Sequence, residues 1–156
     1  MTDMRRSYRI PTPDRTGDLA RQIGARLRPG SVLLLEGPVG AGKTHFARAL
    51  IQSLLEEPED VPSPTFTLVQ TYDSRKGEIW HADLYRLSSP DEVVELGLDE
   101  AFETAIVLVE WPDRLGDLAP ADALHLSFTP DGEEARRIEA RGPAGWDAIL
   151  PGENDV

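Results

Sequence analysis

The sequence predicts an α/β fold in which a mixed sheet lies between layers of helices. Apolar runs of strand length alternate along the chain with amphipathic segments of helix length, as strands and helices do in this class. One run, at residues 31–36, leads directly into a glycine-rich loop at 37–44 and a helical segment at 45–55. Two closely spaced strand patterns, at 65–72 and 78–84, predict an antiparallel hairpin inserted into the sheet.

The loop carries the signature G-x-x-x-x-G-K-T of a phosphate-binding loop, or P-loop. Its residues are Gly37, Pro38, Val39, Gly40, Ala41, Gly42, Lys43 and Thr44. Glycines let backbone N–H groups turn inward around a phosphate at the positive end of the following helix. Lys43 then reaches the β- and γ-phosphates, and the Thr44 hydroxyl is placed to bind Mg²⁺. The loop predicts a nucleotide-binding three-layer sandwich of the P-loop NTPase type.

Composition limits the classes of protein that the chain can belong to. Its 156 residues fit one domain, which we expect to span 1–156. The formal net charge of -12 argues against broad, unaided binding to nucleic acid. Cysteine is absent, which excludes disulfides and thiolate chemistry. We find no membrane-spanning run and no signal-peptide pattern, and therefore expect a cytoplasmic protein without a membrane partner.

A short strand at 7–10 and a helix at 14–27 are predicted before the loop. Leu19, Ile23 and Leu27 recur every four residues, so they share one helical face. The helix should end before Pro29 and Gly30, because proline cannot continue a helix and glycine favours the turn.

After the loop helix, a proline-rich acidic connection at 56–64 leads into the first hairpin, whose turn is 73–77. Ser89, Pro90 and Glu92 spell a capping box with serine as the cap, which predicts a short helix to about Leu96. Gly97 breaks this helix, and another helical turn follows at 98–102.

The remaining chain predicts three strands. The continuous apolar run at 105–109 suits a strand that is covered on both faces. A helical turn at 113–118 precedes a second hairpin, with strands at 123–129 and 135–141. We expect the last few residues, 151–156, to fray. The apolar residues expected to dock on the core just before them are Trp146, Ile149 and Leu150.

Two carboxylates at predicted strand ends complete the candidate site. A P-loop needs acids that hold Mg²⁺ and orient the attacking water. Glu110 follows the buried strand, and Asp83 ends the second strand of the first hairpin. Either carboxylate could serve the metal or the water, and the alternative is that both are surface groups.

Other residues are weaker candidates on their own. Thr65 follows a proline-rich segment, as do the switch residues with which GTPases sense the γ-phosphate. Packing or solvation is the more ordinary role for His81, Trp111 and Arg86. The only lysine outside the loop, Lys76, is not part of the Asn-Lys-x-Asp element of guanine-specific proteins, so ATP is favoured over GTP.

Five blocks, taken together, resemble the TsaE family, also called YjeE, of bacterial ATPases needed for threonylcarbamoyladenosine modification of tRNA. The blocks are the strand and loop at 33–44, S-P-T-F-T-L-V at 63–69, H-A-D-L-Y-R-L at 81–87, E-L-G-L at 95–98 and V-E-W-P-D-R-L at 109–115. The resemblance runs from about Leu19 to Leu115, and the chain beyond matches only loosely.

The resemblance implies roles for individual residues. Lys43 and Thr44 would bind the phosphates and Mg²⁺, and Asp83 would contribute to the metal site. Glu110 with Trp111 would be needed for activity, and Thr65 would face the γ-phosphate. The expected catalytic residues are therefore Glu110, Asp83 and Lys43, and the expected metal contacts are Thr44, Asp83 and Glu110.

The resemblance also implies ATP and Mg²⁺ as ligands, with the TsaD and TsaB proteins as partners and tRNA reached only through that complex. The expected function is an ATPase, slow in isolation, whose hydrolysis lets the complex turn over. Two alternatives stay open. One is a non-catalytic module gated by ATP binding, and the other is a small-molecule kinase, although the clustered Arg136, Arg137 and Arg141 lie on a predicted strand rather than on a lid.

Overall fold

The structure is a computed structural model that describes residues 3–57, 59–62, 68–153 and 156. Within these ranges seven strands form one sheet. They are β1 (Asp3–Ile10), β2 (Val32–Glu36), β3 (Val69–Ser74), β4 (Gly77–Asp83), β5 (Ile106–Glu110), β6 (Leu124–Pro130) and β7 (Arg136–Pro143). The helices are α1 (Pro13–Gly24), α2 (Lys43–Leu54), α3 (Asp91–Glu95) and α4 (Leu98–Thr104), with 3₁₀ helices at Pro112–Leu118 and Ala144–Ala148.

The sheet is mixed, with strand order β1-β7-β6-β2-β5-β4-β3. Strand β2 pairs in parallel with β5 and β6, and β4 pairs in parallel with β5. The β3–β4 and β6–β7 pairs are antiparallel, so the prediction of a mixed sheet with an inserted hairpin is confirmed. Because β2, β4 and β5 run in one direction, the loop after β2 and the last residues of β4 and β5 meet at the same edge of the sheet.

Helices cover both faces of the central strands. On one face, α1 and α2 pack over side chains that include Leu33, Leu35 and Leu108. On the other face, α3, α4 and the first 3₁₀ helix cover a second set that includes Leu34 and Val109. All five residues of β5 are buried, which confirms the prediction of a strand covered on both faces.

Helix α1 ends three residues earlier than predicted, at Gly24 rather than Leu27. The backbone N–H groups of Arg26 and Leu27 bond to carbonyls three residues back, at 3.0 and 3.2 Å, so the chain tightens into turns. Leu27 nevertheless remains buried, with 1% of its surface exposed. The apolar pattern therefore continued past the true helix end because the turn keeps Leu27 on the packed side.

Residues near the two chain ends are bonded to each other. Arg6 donates to the carbonyl oxygens of Leu150 (2.5 Å) and Pro151 (3.0 Å), and the Tyr8 hydroxyl donates to Pro151 (2.7 Å). Strand β1 consequently begins at Asp3, and the expected fraying from Pro151 is wrong for that residue. Trp146 and Leu150 are buried, as predicted.

The capping box is displaced by one position. Pro90 rather than Ser89 is the cap residue of α3. The Ser89 hydroxyl accepts from the Asp91 N–H at 3.2 Å, and the Glu92 carboxylate accepts from the Ser88 N–H at 3.1 Å. The same residue types thus serve the helix start through different spacings, two residues for Ser89 and four for Glu92. None of the helices in the described ranges is long and apolar enough to cross a membrane.

Candidate functional site

The loop 37–44 lies between β2 and α2, as its sequence predicted. Gly37, Gly40 and Gly42 have φ of 142°, 82° and 104°, values that side chains with a Cβ rarely adopt. A Cβ on Gly37 would lie 2.5 Å from the carbonyl oxygen of Phe128, so the loop passes β6 at a distance that only glycine allows. The first N–H groups of α2 have no acceptor within the helix and open toward the loop, where they favour an anion.

Arg136 holds this loop from the neighbouring β6–β7 hairpin. Its Nε and Nη2 atoms donate to the carbonyl oxygens of Ala41 and Gly40, each at 3.1 Å. With these carbonyls engaged from the outside, the loop keeps its backbone shape before any ligand arrives. Arg136 is therefore a structural support of the loop, and its site on β7 agrees with the predicted strand.

Lys43 is folded back into the site. It is buried, with 4% of its surface exposed, and its Nζ donates to the carbonyl oxygen of Gly37 and lies 3.7 Å from the centre of the Trp111 ring. Burial lowers the pKa of the Lys43 amine, and the nearby carboxylates of Glu110 and Asp83 partly oppose that shift. The Lys43 ammonium is thus held by the Gly37 carbonyl and the Trp111 ring, and a phosphate could replace these two contacts.

Trp111 itself has an unusual backbone. It follows β5 directly, with φ 60° and ψ 54° in the left-handed region. This conformation is uncommon for a large side chain and costs on the order of 1–3 kcal/mol. It turns the chain sharply after Glu110 and sets the ring between Lys43 and Tyr85, whose ring centre is 5.0 Å away.

Glu110 is connected directly to the loop helix. Its Oε1 accepts a hydrogen bond from the Thr44 hydroxyl at 2.8 Å, and its Oε2 lies 2.7 Å from Nε2 of His81. The carboxylate is only 2% exposed. Both oxygens of a buried acid are therefore engaged, one by the predicted Mg²⁺ contact Thr44 and the other by a histidine.

Asp83 lies beside Glu110, as its direct partner in the β4–β5 register. Burial raises the pKa of the Asp83 carboxyl, an N–H bond from Tyr85 (3.0 Å) opposes this, and the Glu110 charge adds to the rise. A cation near this pair would relieve the cost of placing two acids side by side. The structure thus brings together all the predicted site residues that it describes, while Thr65 lies outside the described residues.

His81, for which packing or solvation was the expected role, is buried and lies beside Glu110. His81 and Asp83 are two positions apart on one strand, so their side chains share a face, the face toward α2. In the β4–β5 register His81 is opposite Leu108, and its ring reaches diagonally to Glu110 two residues further along β5. The H-x-D spacing at the end of a strand was the available signal, but only the register shows which acid the histidine meets.

The donors present fit a magnesium ion that arrives with a phosphate. Among the described residues no group of three or more His, Asp or Glu side chains could hold a metal ion by itself. The site offers a hydroxyl, from Thr44, and two carboxylates, from Asp83 and Glu110. Mg²⁺ keeps several waters and is commonly bound through one or two carboxylates together with substrate phosphates. These residues could therefore hold it only in company with a ligand.

The fold and the site define a mixed α/β protein with a glycine-rich loop at the start of a helix and a buried acid beside it. Its sequence matches the family model "Threonylcarbamoyl adenosine biosynthesis protein TsaE" over residues 10–138. The tRNA threonylcarbamoyladenosine biosynthesis protein TsaE of Rickettsia bellii is 40% identical over 119 residues, 76% of this chain and 83% of that protein. The Bacillus subtilis protein of the same name is 36% identical over 132 residues, 84% and 82% of the two chains.

A solved structure agrees with these relatives. The crystal structure of YdiB from Bacillus subtilis superimposes with a TM-score of 0.77 and 27% identity, covering 96% of this chain and 93% of that one. The chain belongs to the TsaE family, as the five sequence blocks had indicated.

Proposed function

We propose that this protein is a Mg²⁺-dependent ATPase required for threonylcarbamoyladenosine modification of tRNA, and that it acts with the TsaB–TsaD complex. Family membership supports the pathway, since the relatives carry that function in their names. The observation that carries the ATPase proposal is the hydrogen bond between Glu110 and Thr44. It places a buried carboxylate at the hydroxyl that a P-loop offers to the metal of a bound nucleotide.

The loop and Lys43 would bind the triphosphate. The N–H groups at the start of α2 have no acceptor within the helix, so they can donate to phosphate oxygens. Lys43 would leave the Gly37 carbonyl and the Trp111 face, because a phosphate is a stronger partner for a buried ammonium than either. The surroundings of the Trp111 ring would therefore change when a nucleotide occupies the loop.

Glu110 would orient the attacking water. The water oxygen attacks the γ-phosphorus, the bond between that phosphorus and the β,γ-bridging oxygen breaks, and ADP and phosphate leave; the proton of the water passes to solvent or phosphate. Mg²⁺, when bound, supplies charge neutralisation of the phosphates. Asp83, next to Glu110, would contact the metal directly or through a water.

Hydrolysis in the isolated chain should be slow. Arg136 is bonded to the loop, but its contacts there are to the carbonyl oxygens of Ala41 and Gly40. Its position on β7 also gives no support to a kinase, which needs arginines on a mobile lid over the phosphates. A partner could complete the site, and TsaB and TsaD are the proposed partners.

Repeated rounds of tRNA modification test the proposal against an ATP-gated binding module. Purified TsaB, TsaD and the enzyme that makes the threonylcarbamoyl donor would be combined with tRNA and either wild type or Glu110→Ala. If the protein is an ATPase, modification with Glu110→Ala should stop after about one round per complex. Modification should continue with the control Glu139→Ala, which changes an exposed residue of β7. Undiminished turnover with Glu110→Ala would show that ATP acts only as a binding signal.

A further inference from the structure

His81 is the most completely buried ionisable side chain near the loop. None of its surface is exposed, and its Nε2 atom lies 2.7 Å from the Glu110 carboxylate. An ionised carboxylate has only acceptor positions, so with Glu110 ionised Nε2 carries the hydrogen of this bond. The imidazole therefore donates to Glu110 and fixes one of its two oxygens.

We infer that His81 is a positioning residue that holds the Glu110 carboxylate in the orientation needed for the hydrolysis proposed above, on which this inference rests. The two hydrogen-bond partners of Glu110, Thr44 and His81, would respond differently to nucleotide binding. Thr44 belongs to the loop, and its hydroxyl would turn to the metal when nucleotide binds. His81 belongs to β4, in the centre of the β3–β4–β5 part of the sheet, and cannot follow the loop.

When nucleotide binds, Glu110 would lose its bond to Thr44 and keep its bond to His81, and this fixes the orientation of the carboxylate. Once Thr44 turns away, Oε1 of Glu110 is free to accept from a water on the loop side. Oε2 stays fixed by His81, so the side chain cannot rotate away from that water. Without His81, the freed carboxylate would rotate, and the advantage of holding the attacking water in place would be lost.

A purely structural role for His81 fits the contacts poorly. Its second ring nitrogen, Nδ1, is buried and has no hydrogen-bond partner among the described residues. A buried polar atom without a partner costs on the order of 1–3 kcal/mol. An apolar residue of similar size would pack here without that cost, so the imidazole is explained by its bond to Glu110 rather than by packing.

The test compares His81→Leu with His81→Gln in ATP hydrolysis by the full-length chain, alone and with TsaB and TsaD. Leucine removes the donor, whereas glutamine keeps an N–H group at a similar reach. We expect His81→Leu to lower kcat on the order of 10- to 100-fold, as partners that orient a catalytic group do. KM for ATP should change little, because His81 does not contact the loop, and His81→Gln should recover part of kcat.

His125→Leu is the matched control. His125 also lies beside a carboxylate, with Nδ1 3.1 Å from Glu36 Oε1, but this pair is partly exposed and on a different strand. Its kcat should equal that of wild type. Equal losses in His81→Leu and His81→Gln, or an unchanged kcat in His81→Leu, would overturn the inference. A wild-type chain without any hydrolysis would instead refute the proposed function.

A second measurement does not depend on turnover or on the folding of a His81 variant. In wild-type protein labelled with ¹⁵N-histidine and free of nucleotide, NMR should show a hydrogen on Nε2 of His81. Glu110→Gln should shift that signal and leave the His125 signal in place. An Nε2 without hydrogen, or a His81 signal indifferent to Glu110→Gln, would contradict the proposed contact.

Discussion

Replacing Gly37 by alanine should damage the protein far more than the same change three residues later. At Gly37 the added Cβ meets the Phe128 carbonyl oxygen at 2.5 Å, a backbone atom that cannot swing aside, and the φ of 142° is itself unfavourable for alanine. Backbone strain costs on the order of 1–3 kcal/mol and overpacking about as much again. We expect a loss of about 4 kcal/mol in the free energy of unfolding.

Gly40→Ala separates the two contributions. Gly40 has φ 82°, but a Cβ there would meet nothing within 4 Å, so only the backbone strain remains. The expected loss is about 1–2 kcal/mol. At about 2–4 °C per kcal/mol for a chain of this size, Gly37→Ala should lower Tm by on the order of 10 °C and Gly40→Ala by about half or less.

Urea denaturation followed by circular dichroism measures both free energies of unfolding. The hairpin glycine Gly132, with φ 109° and open space around it, supplies a control outside the loop, and Gly132→Ala should resemble Gly40→Ala. Equal losses for Gly37→Ala and Gly40→Ala would show that the approach of the loop to β6 does not require glycine at residue 37.

Two further predictions concern stability. Burial raises the pKa of Tyr8 above its ordinary 10.0, so the stability that this tyrosine contributes is complete below about pH 10 and is lost as the pH rises through the raised value. Urea denaturation from pH 8 to 11 should show wild type losing stability relative to Tyr8→Phe, and parallel curves would contradict this. Thr44→Val should destabilise the nucleotide-free protein by on the order of 1–3 kcal/mol, because it leaves a buried Glu110 oxygen without its donor. Thr44→Ser keeps the hydroxyl and should retain most of the stability in the same assay. A Thr44→Val variant as stable as wild type would count against the hydrogen bond between Thr44 and Glu110.

The central part of the fold was predictable because its signals are local. The apolar run of β5, the glycine-rich loop and the two hairpins are each contained in a short stretch of sequence. The loop also predicted its own surroundings, since the signature requires a strand before it and a helix after it. Strand-end placement then brought Asp83 and Glu110 to the correct edge of the sheet.

The errors arose where distant parts of the chain meet. The arginines of β1 weaken the strand pattern in the sequence, so the first half of this edge strand was not predicted. Arg6 can point inward because it donates to the carbonyl oxygens of Leu150 and Pro151. The contact between His81 and Glu110 likewise depends on the β4–β5 register, which the sequence does not contain in any one segment. The single domain over 1–156 and the role of Thr65 stay predictions.

Phosphate release from ATP, measured together with the binding of a fluorescent ATP analogue, shows whether the loop and Glu110 form an ATPase site. Wild type, Lys43→Met and Glu110→Gln would be compared with and without Mg²⁺, in the presence of TsaB and TsaD. We expect that wild type hydrolyses ATP only with Mg²⁺, that Lys43→Met loses both binding and hydrolysis, and that Glu110→Gln binds the analogue without hydrolysing ATP. Hydrolysis by Glu110→Gln at the wild-type rate would contradict this expectation.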